Sequence, residues 1–451
     1  ASGASSALRR RACELWLGAA HLEQGRALLP QVLDDVGMRL PRASRLGIVV
    51  RTLFRKMSVR PVLAPPEAKQ TALIDACWMG SATFSMIDPL LGGYFQAHGL
   101  ALASRQGTPA QLARLQGIEA AYRSMTGVDD PTKTDLFLRC AMENALSSGE
   151  PHAWAIAEGS IGLVAHMRGD FQDCLDRCNR ALRIYREQCR GARWDINTAE
   201  LFAMSSLIHL GRWEEAARRA DANAEAAGEL NDRMMAAFST ASFRCHGLLA
   251  KDSPEQALTE IHEGMHAWPP EPYLVPHFWY RWGTAMVHLY MGRAAEASRE
   301  FYGSGWRFWT SALSSIYMLR AEWLCVAGRL LLASVHGPLP WTTRAKLWMI
   351  NRVLRTHRGK WPAAHGWALW ALAEWRAGKL ERARQSFARA HAGYLDAGSS
   401  ADALAVDVRL AELDERGTAG ALEALRQTGI RNPEAWVAAT LPNPMDDRRT
   451  A

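Results

Sequence analysis

Apolar residues recur along this chain with the spacing of amphipathic helices, and short turns separate one helical stretch from the next. Residues 67–106 are predicted to form two helices that part near Asp88 and Pro89, because proline disfavours helix in the residue before it. From residue 109 to about residue 429, helical pairs continue without a convincing alternating strand pattern. The pattern predicts an all-α protein of roughly twenty helices.

A turn residue returns along the chain at nearly constant spacing. It stands at Gly169, Gly211, Asp252, Gly292 and Gly378, in steps of 42, 41, 40 and 86 residues, and Gly337 marks the skipped turn. Glycine at a helix end readily adopts the left-handed conformation that reverses the chain. The spacing therefore predicts a structural repeat with a period of about 41 residues.

Each turn is followed by residues that share one face of the next helix. Five residues after the turn, the chain has Cys174, Ala216, Ala257, Ala297 and Ala383. Nine residues after it come Cys178, Ala220, Ile261, Phe301 and Phe387, and twelve after it come Ala181, Asn223, Gly264, Ser304 and Ala390. Small side chains at such positions let two helices approach closely, so these positions are predicted to pack inward.

The phrase RAGKLERARQSFARAHAGY, preceded by Trp367, resembles the tetratricopeptide repeat in a variant longer than the usual length of about 34 residues. The resemblance extends from about Pro151 to Gly420. Four stretches resemble the C-terminal repeat region of large bacterial signalling proteins: LLPQVLDDVGMRLPRASRLG, MIDPLLGGYFQAHGLALA, MRGDFQDCLDRCNRAL at Gly169, and TGIRNPEAWVAATLPNP. Those proteins carry a serine/threonine kinase domain and a STAND-type ATPase domain ahead of their repeats.

This resemblance implies a right-handed α-solenoid of tetratricopeptide-like helix pairs, and a regulatory role for the repeats. It also implies a fragment whose kinase and ATPase domains are missing. The absent initiator Met suggests a processed chain or a segment cut from something longer. We expect three segments: a truncated first helix pair, a basic amphipathic helix and a Pro-rich break in residues 1–66, the helical-repeat solenoid in 67–430, and a C-terminal cap and tail in 431–451.

Composition narrows the function classes. With 48% hydrophobic residues the chain has the material for a core, and its best apolar run, Trp323 to Val335, is interrupted by Arg329. The eight cysteines lack the dense spacing of a disulfide-rich scaffold and fit a reducing compartment, so we expect a cytoplasmic protein.

The net charge of the chain is +7. The segment between Val36 and Pro66 contains seven basic residues and no acidic one, so it accounts for the whole positive excess. A basic patch confined to one segment does not favour a nucleic-acid partner.

The basic segment itself, residues 41–60, has apolar residues on one helical face and cations on the other. Arg45, Arg51, Arg55 and Lys56 could dock this helix on an anionic membrane surface or on an acidic partner domain. The alternative is a helix packed across the solenoid with its charges in water.

One stretch matches a catalytic motif. His262, Glu263 and His266 form H-E-x-x-H, in which two histidines one helical turn apart could bind Zn²⁺ while the glutamate acts as a general base. A third zinc ligand is not obvious, and Glu271 and His277 are candidates only because they are close in the sequence. A zinc-dependent hydrolase is therefore the alternative function.

The repeat register disfavours that alternative. Ile261 and Gly264 occupy inward repeat positions, so the two histidines are expected on the outer side of their helix, which should end before Pro269. Cys174 and Cys178 could likewise form a metal or redox pair, but as inward residues they are expected to pack as small apolar side chains. No phosphate-binding loop is present, and we predict no metal and no cofactor.

Tryptophan is unusually frequent. Twelve of the 18 tryptophans fall between Trp268 and Trp375, and most are predicted to fill the core between repeats. Consecutive aromatic residues do not all face inward on one helix, so some should meet a partner. The candidate binding residues are Trp279, Tyr280, Arg281, Trp282, Trp306, Arg307 and Trp309. The sequence thus predicts a non-catalytic interaction or sensor region that binds a protein, peptide or effector and regulates attached domains.

Overall fold

The computed structural model describes residues 2–39, 67–85, 87–127, 130–266, 268–335 and 337–442. All regular elements in this part of the chain are helices, as the sequence predicts. The predicted basic helix at 41–60, with Arg45, Arg51, Arg55 and Lys56, lies outside the described residues. No described helix is both long enough and apolar enough to cross a membrane.

The helices follow one another with short connections. They are α1 (Ser2–Gly18), α2 (Leu22–Asp35), α3 (Ala68–Phe84), α4 (Pro89–Gln106), α5 (Pro109–Thr126), α6 (Pro131–Ser148), α7 (Pro151–Arg168), α8 (Phe171–Gln188), α9 (Arg193–His209), α10 (Trp213–Glu229), α11 (Arg233–Phe238), α12 (Arg244–Ala250), α13 (Pro254–His266), α14 (Val275–Tyr290), α15 (Ala294–Gly303), α16 (Trp306–Thr310), α17 (Tyr317–Ala333), α18 (Trp341–Arg355), α19 (Lys360–Arg376), α20 (Leu380–Asp396), α21 (Ser400–Leu413), α22 (Ala419–Gln427) and α23 (Pro433–Thr440). A π-helical turn, Ser239–Phe243, joins α11 to α12, and a 3₁₀ turn, Ala312–Ser315, precedes α17.

Local sequence explains several helix starts. The Asp88 side chain accepts a hydrogen bond from the Leu91 backbone N–H at 3.2 Å, and Pro89 opens the helix where its missing N–H costs nothing. Thr108 and Gln111 form a reciprocal capping box at the start of α5. The predicted boundary between the two helices of residues 67–106 is thereby confirmed.

The turn residues of the repeat adopt the predicted conformation. Positive φ angles of 85°, 74°, 58°, 74° and 72° occur at Gly169, Gly211, Asp252, Gly292 and Gly378, and the skipped turn at Gly337 has a φ of 71°. Left-handed backbone is unfavourable for most side chains, which explains why glycine stands at five of these six positions. Aspartate is among the few other residues that tolerate it.

The inward positions five and nine residues after each turn are confirmed, and those twelve residues after it are confirmed in part. All ten residues at the five- and nine-residue offsets are buried, from Cys174 and Cys178 through Ala383 and Phe387. At the twelve-residue offset Ala181 and Ala390 are buried, whereas Asn223, Gly264 and Ser304 are half-buried. The spacing of small and large residues thus sets which face of each second helix packs.

The chain divides into two compact units. Unit 1 comprises Ala1–Ala165, Asp173–Ala203 and Ala227–Met235, and unit 2 comprises His166–Gln172, Met204–Ala226 and Ala236–Ala451. Within unit 1, the core is built around fully buried apolar side chains such as Ile74, Leu100 and Phe137. The three segment boundaries expected from the sequence, 1–66, 67–430 and 431–451, stay a prediction.

Within unit 2, the end of the chain returns to much earlier residues. The Arg431 backbone N–H donates to the Ala250 carbonyl at 2.8 Å, the Asn432 amide donates to Asp252 at 3.2 Å, and α23 packs against α14. In a simple solenoid each repeat contacts only its neighbours. Contacts between residues 180 positions apart therefore make unit 2 more closed than an open stack of helix pairs.

Candidate ligand-binding site

The closure of unit 2 creates a pocket lined mainly by aromatic side chains, which we call the aromatic pocket. It is lined by Ser205, Ile208, His209, Trp213, Ser242, Phe243, His246, Leu249, Trp279, Trp282, Met286, Tyr290, Glu322, Arg329, Trp361, Asp402, Trp436, Ala439 and Thr440. The space between these walls is about 710 Å³, part of it open to solvent. All these residues belong to unit 2, and they come from segments spread over more than two hundred positions.

An irregular stretch of backbone forms one wall. Ser242 and Phe243 lie in the π-helical turn between α11 and α12, an irregularity that proteins often place at functional sites. The Ser242 carbonyl accepts a hydrogen bond from Nδ1 of His246 at 3.0 Å, so Nδ1 carries the ring proton. Burial lowers the pKa of His246 to about 4, and Nε2 of this neutral ring is an acceptor.

Aromatic rings form a continuous wall across the pocket. The rings of Trp436 and Trp213 have centroids 4.6 Å apart, and Trp213 is parallel to His246 at 6.1 Å. His246 in turn stacks on Trp282 at 4.8 Å, and Trp282 meets Trp279 edge-on at 5.7 Å. Such offset and edge-to-face contacts hold large rings rigidly. The wall is therefore preorganised for a flat apolar group.

Acidic side chains stand on another wall, each with a partner. The Trp361 indole N–H donates to Asp402 at 2.8 Å, and burial raises the pKa of that carboxyl group. Glu322 is buried 3.4 Å from Nε2 of His209, whose ring packs edge-on against Trp361 at 4.7 Å. Both carboxyl groups are thus engaged within the protein.

Arg329 is the basic residue of the pocket, and only 4% of it is exposed. Its Nε donates to Nε2 of His365 at 3.1 Å, and Nη1 lies 3.0 Å from the sulfur of Met286. Among the described residues, no carboxylate lies within the 4.0 Å of an ion pair. A buried charge normally has a charged partner, so this guanidinium is unusual.

Three indole N–H groups of the wall are also without an acceptor among the described residues. They belong to Trp213, Trp282 and Trp436, each more than nine-tenths buried. Buried polar groups are rarely left without a hydrogen bond, so these N–H groups call for a partner outside the chain, either an ordered water or a bound molecule. The pocket therefore offers an apolar aromatic body and several unused donors.

Of the seven candidate binding residues, the structure brings only Trp279 and Trp282 to the aromatic pocket. The Tyr280 ring packs near His262, and Arg281 donates to the Glu300 carbonyl. Arg307 donates to the Pro270 carbonyl and to Glu271, both at 2.5 Å. Trp306 and Trp309 are 65% and 47% exposed. The seven residues do not form one site.

Fewer tryptophans are buried than the sequence suggested. Of the twelve between Trp268 and Trp375, four are buried, four are half-buried and four are exposed, and the exposed ones lie on α16 and α18. The exposure of some of these aromatic residues was predicted. In α16 the Phe308 ring is buried while both tryptophans lie on the outward side, and in α18 both tryptophans lie on the outward side.

The H-E-x-x-H stretch lies where the repeat register predicted. His262, Glu263 and His266 are exposed at the end of α13, while Ile261 is buried. Nδ1 of His277 accepts from the Leu274 N–H, and Nε2 lies 3.0 Å from the Pro269 carbonyl, so both ring nitrogens are engaged.

Glu271, the other proposed third ligand, pairs with Arg307 at 2.5 Å. Across the described ranges, no group of three or more His, Cys, Asp or Glu side chains is placed to hold a metal ion. In unit 1, Cys174 and Cys178 are buried with their sulfurs 3.9 Å apart, as expected for packed small residues.

Sequence reasoning missed most of the pocket, including Trp213, His246, Arg329 and Trp436. One signal was available: α17 reads YMLRAEWLCVAGRLLLA, in which Glu322 and Arg329 are seven residues apart in an apolar helix. Positions i and i+7 share a helix face, which indicates two charges turned toward the same site.

Comparison with known proteins gives no family model that matches the chain and no significantly similar curated protein.

Proposed function

We propose that this chain is a non-enzymatic, ligand-sensing helical-repeat region whose effector binds in the aromatic pocket of unit 2. We further propose that its helix pairs form a right-handed α-solenoid of the tetratricopeptide type. On this proposal, the region regulates attached kinase and ATPase domains, as in the bacterial signalling proteins that its sequence resembles. The regular left-handed turns and the buried small residues that follow them support the repeat assignment.

The aromatic pocket is the observation that carries the sensing role. Its lining, rather than its volume, carries the argument, because the space of about 710 Å³ between its walls includes open solvent. Small-molecule sites combine apolar walls with a few polar groups, and here five tryptophans surround one buried guanidinium.

The position of the pocket suggests how binding becomes a signal. Its walls come from α9, the π-helical turn, α14, α17 and α23, which are far apart in sequence. A ligand that contacts all of them stabilises the closed arrangement of unit 2 relative to more open ones. Attached domains that favour one arrangement would then respond to the ligand.

The test uses N-phenyl-1-naphthylamine, a neutral aromatic probe that fluoresces in apolar surroundings. We expect saturable binding of one probe per chain, weakened at least about tenfold by Trp279→Ala and by Trp282→Ala, because each removes a ring from the wall. Trp306→Ala is the matched control, since Trp306 is exposed and outside the pocket. Absent binding, or equal loss in all three variants, would contradict the proposal.

Partner docking is a second candidate, and α18 favours it. This helix exposes Trp341, Trp348, Met349 and Val353, and it carries four basic residues and no acidic one. Exposed apolar clusters on a helix commonly mark interaction surfaces. If the kinase or ATPase domains are attached, crosslinking them to Trp341→Cys but not to Leu146→Cys, an exposed residue of unit 1, would support docking at α18.

A further inference from the structure

Arg329 carries a positive charge in surroundings that are mostly apolar. Arg329 is almost fully buried within α17, between Gly328 and Leu330. Taking a guanidinium out of water costs several kcal/mol unless an opposite charge and good hydrogen bonds offset the loss. The identity of its partners therefore decides whether the site is complete.

The partners of Arg329 are neutral. Nε2 of His365 accepts from Arg329, so the ring proton is on Nδ1, which donates to the Tyr394 hydroxyl at 2.6 Å. Burial keeps the pKa of His365 well below its usual value. The other contact is the sulfur of Met286, a weak acceptor. These groups orient the guanidinium but do not neutralise it.

The nearby acids act on Arg329 through space but do not contact it: burial raises the pKa of Asp402, and the charge of Arg329 counters part of that rise. Glu322 lies 3.4 Å from His209, and Asp402 accepts from Trp361 at 2.8 Å. Neither carboxylate is within 4.0 Å of a nitrogen of Arg329. Arg329 has five N–H donors, of which Nε and Nη1 make the contacts described. The buried pocket-lining groups without a hydrogen bond among the described residues are also able to donate: the indole N–H groups of Trp213, Trp282 and Trp436 and the Ser242 hydroxyl.

We propose that the effector is a flat, mostly apolar organic acid whose carboxylate binds Arg329, with its ring system held against the tryptophan wall. This inference rests on the proposed function of the pocket and adds the chemical class of the ligand. A planar carboxylate matches the fork of guanidinium donors better than a spherical anion does. Nε2 of His246 can accept one hydrogen bond from the same ligand.

The experiment compares three indole compounds that differ only at the end of the side chain. The probes are indole-3-propionate, its primary amide, and tryptamine, titrated by calorimetry and by displacement of N-phenyl-1-naphthylamine. The acid should bind at least about tenfold more tightly than the amide, and tryptamine should bind more weakly still, because Arg329 has no contacting carboxylate among the described residues whereas Glu322 and Asp402 are already engaged by His209 and Trp361.

Substitutions of Arg329 test whether this residue provides the preference for the acid. Arg329→Gln should bind the acid and the amide equally, while Arg329→Lys should retain part of the preference for the acid, since a point charge replaces the fork. Arg320→Gln is the matched control on the same helix, because Arg320 packs over Tyr317 and does not line the pocket. Binding of the neutral probe to each variant shows that its pocket is intact.

The outcomes separate the two proposals. If the neutral probe binds but the amide or tryptamine matches the acid, or if none of the three indole compounds binds, the carboxylate assignment is wrong and the pocket stands. If the neutral probe also fails to bind the wild-type chain, the proposed function itself fails. Because the acid and amide are compared on the wild-type protein, the test does not depend on a variant that folds poorly.

Discussion

Asp252 is the one turn residue of the six that is not glycine, so substitutions of Asp252 give the sharpest test of the repeat by protein stability. Its φ angle is 58°, and its side chain accepts hydrogen bonds from the Tyr290 hydroxyl at 2.8 Å and from the Asn432 amide at 3.2 Å. The backbone conformation favours glycine, whereas the two hydrogen bonds favour aspartate. Substitutions at this position separate the two effects.

The magnitudes follow from the structure. Each hydrogen bond contributes about 1 kcal/mol, and the left-handed conformation costs a residue such as alanine about 1 kcal/mol relative to aspartate or glycine. Asp252→Ala should therefore lower the free energy of unfolding by about 3 kcal/mol, and Asp252→Gly by only about 1–2 kcal/mol. Asp252→Asn keeps an acceptor and tolerates the turn, so it should cost under about 1 kcal/mol.

The assay is urea unfolding followed by tryptophan fluorescence and circular dichroism, with Tyr290→Phe as the control that removes one hydrogen bond and leaves the turn unchanged. The predicted order of stability is Asn above Gly above Ala. If Asp252→Ala is as stable as Asp252→Gly, the left-handed turn does not constrain this position, and the argument from the periodic glycines fails.

Three further predictions follow. A Cβ added at Gly247 would lie 2.6 Å from Cβ of Ala217, so Gly247→Ala should destabilise unit 2 by about 1–3 kcal/mol in urea unfolding, whereas Gly228→Ala, in an exposed helical position with open space, should be neutral or stabilising. Burial lowers the pKa values of His246 and His357 to about 4, so the unfolded chain binds more protons than the folded one between about pH 6.5 and 4. Stability should be fully present above that window and fall by roughly 3 kcal/mol per histidine on acidification, and His246→Gln should flatten the thermal-unfolding profile against pH. Metal analysis of the purified protein should give less than about a tenth of an equivalent of zinc, since His262 and His266 lie exposed and the part of the chain that the structure describes places no third ligand beside them; a full equivalent lost in His262→Ala would support the hydrolase alternative.

Local features of this fold could be predicted because they depend on neighbouring residues. The left-handed turns follow from glycine itself, and the inward face follows from helical spacing, so both hold from Gly169 to Gly378. Helical spacing also explains why the seven candidate binding residues do not form one site. Trp279 and Trp282 are three residues apart and share the pocket face of α14, whereas Tyr280 and Arg281 between them face elsewhere.

The pocket could not be predicted because its walls meet only through long-range packing. Trp436 reaches Trp213 from more than two hundred residues away, and no periodicity in either helix indicates that contact. In the sequence, Trp436 is one residue of the closing phrase TGIRNPEAWVAATLPNP, and Arg329 is merely the charge that interrupts an apolar run. Their roles depend on how the end of unit 2 returns to α14.

Hydrogen–deuterium exchange of the chain saturated with N-phenyl-1-naphthylamine tests the central claim most directly, because it locates the binding site without any substitution. We predict slower exchange in the π-helical turn and α12, in α14 and in α17, which line the pocket, and unchanged exchange in α18 and in unit 1. Protection confined to α18, or none at all under saturating probe, would contradict the assignment of the aromatic pocket as the sensing site.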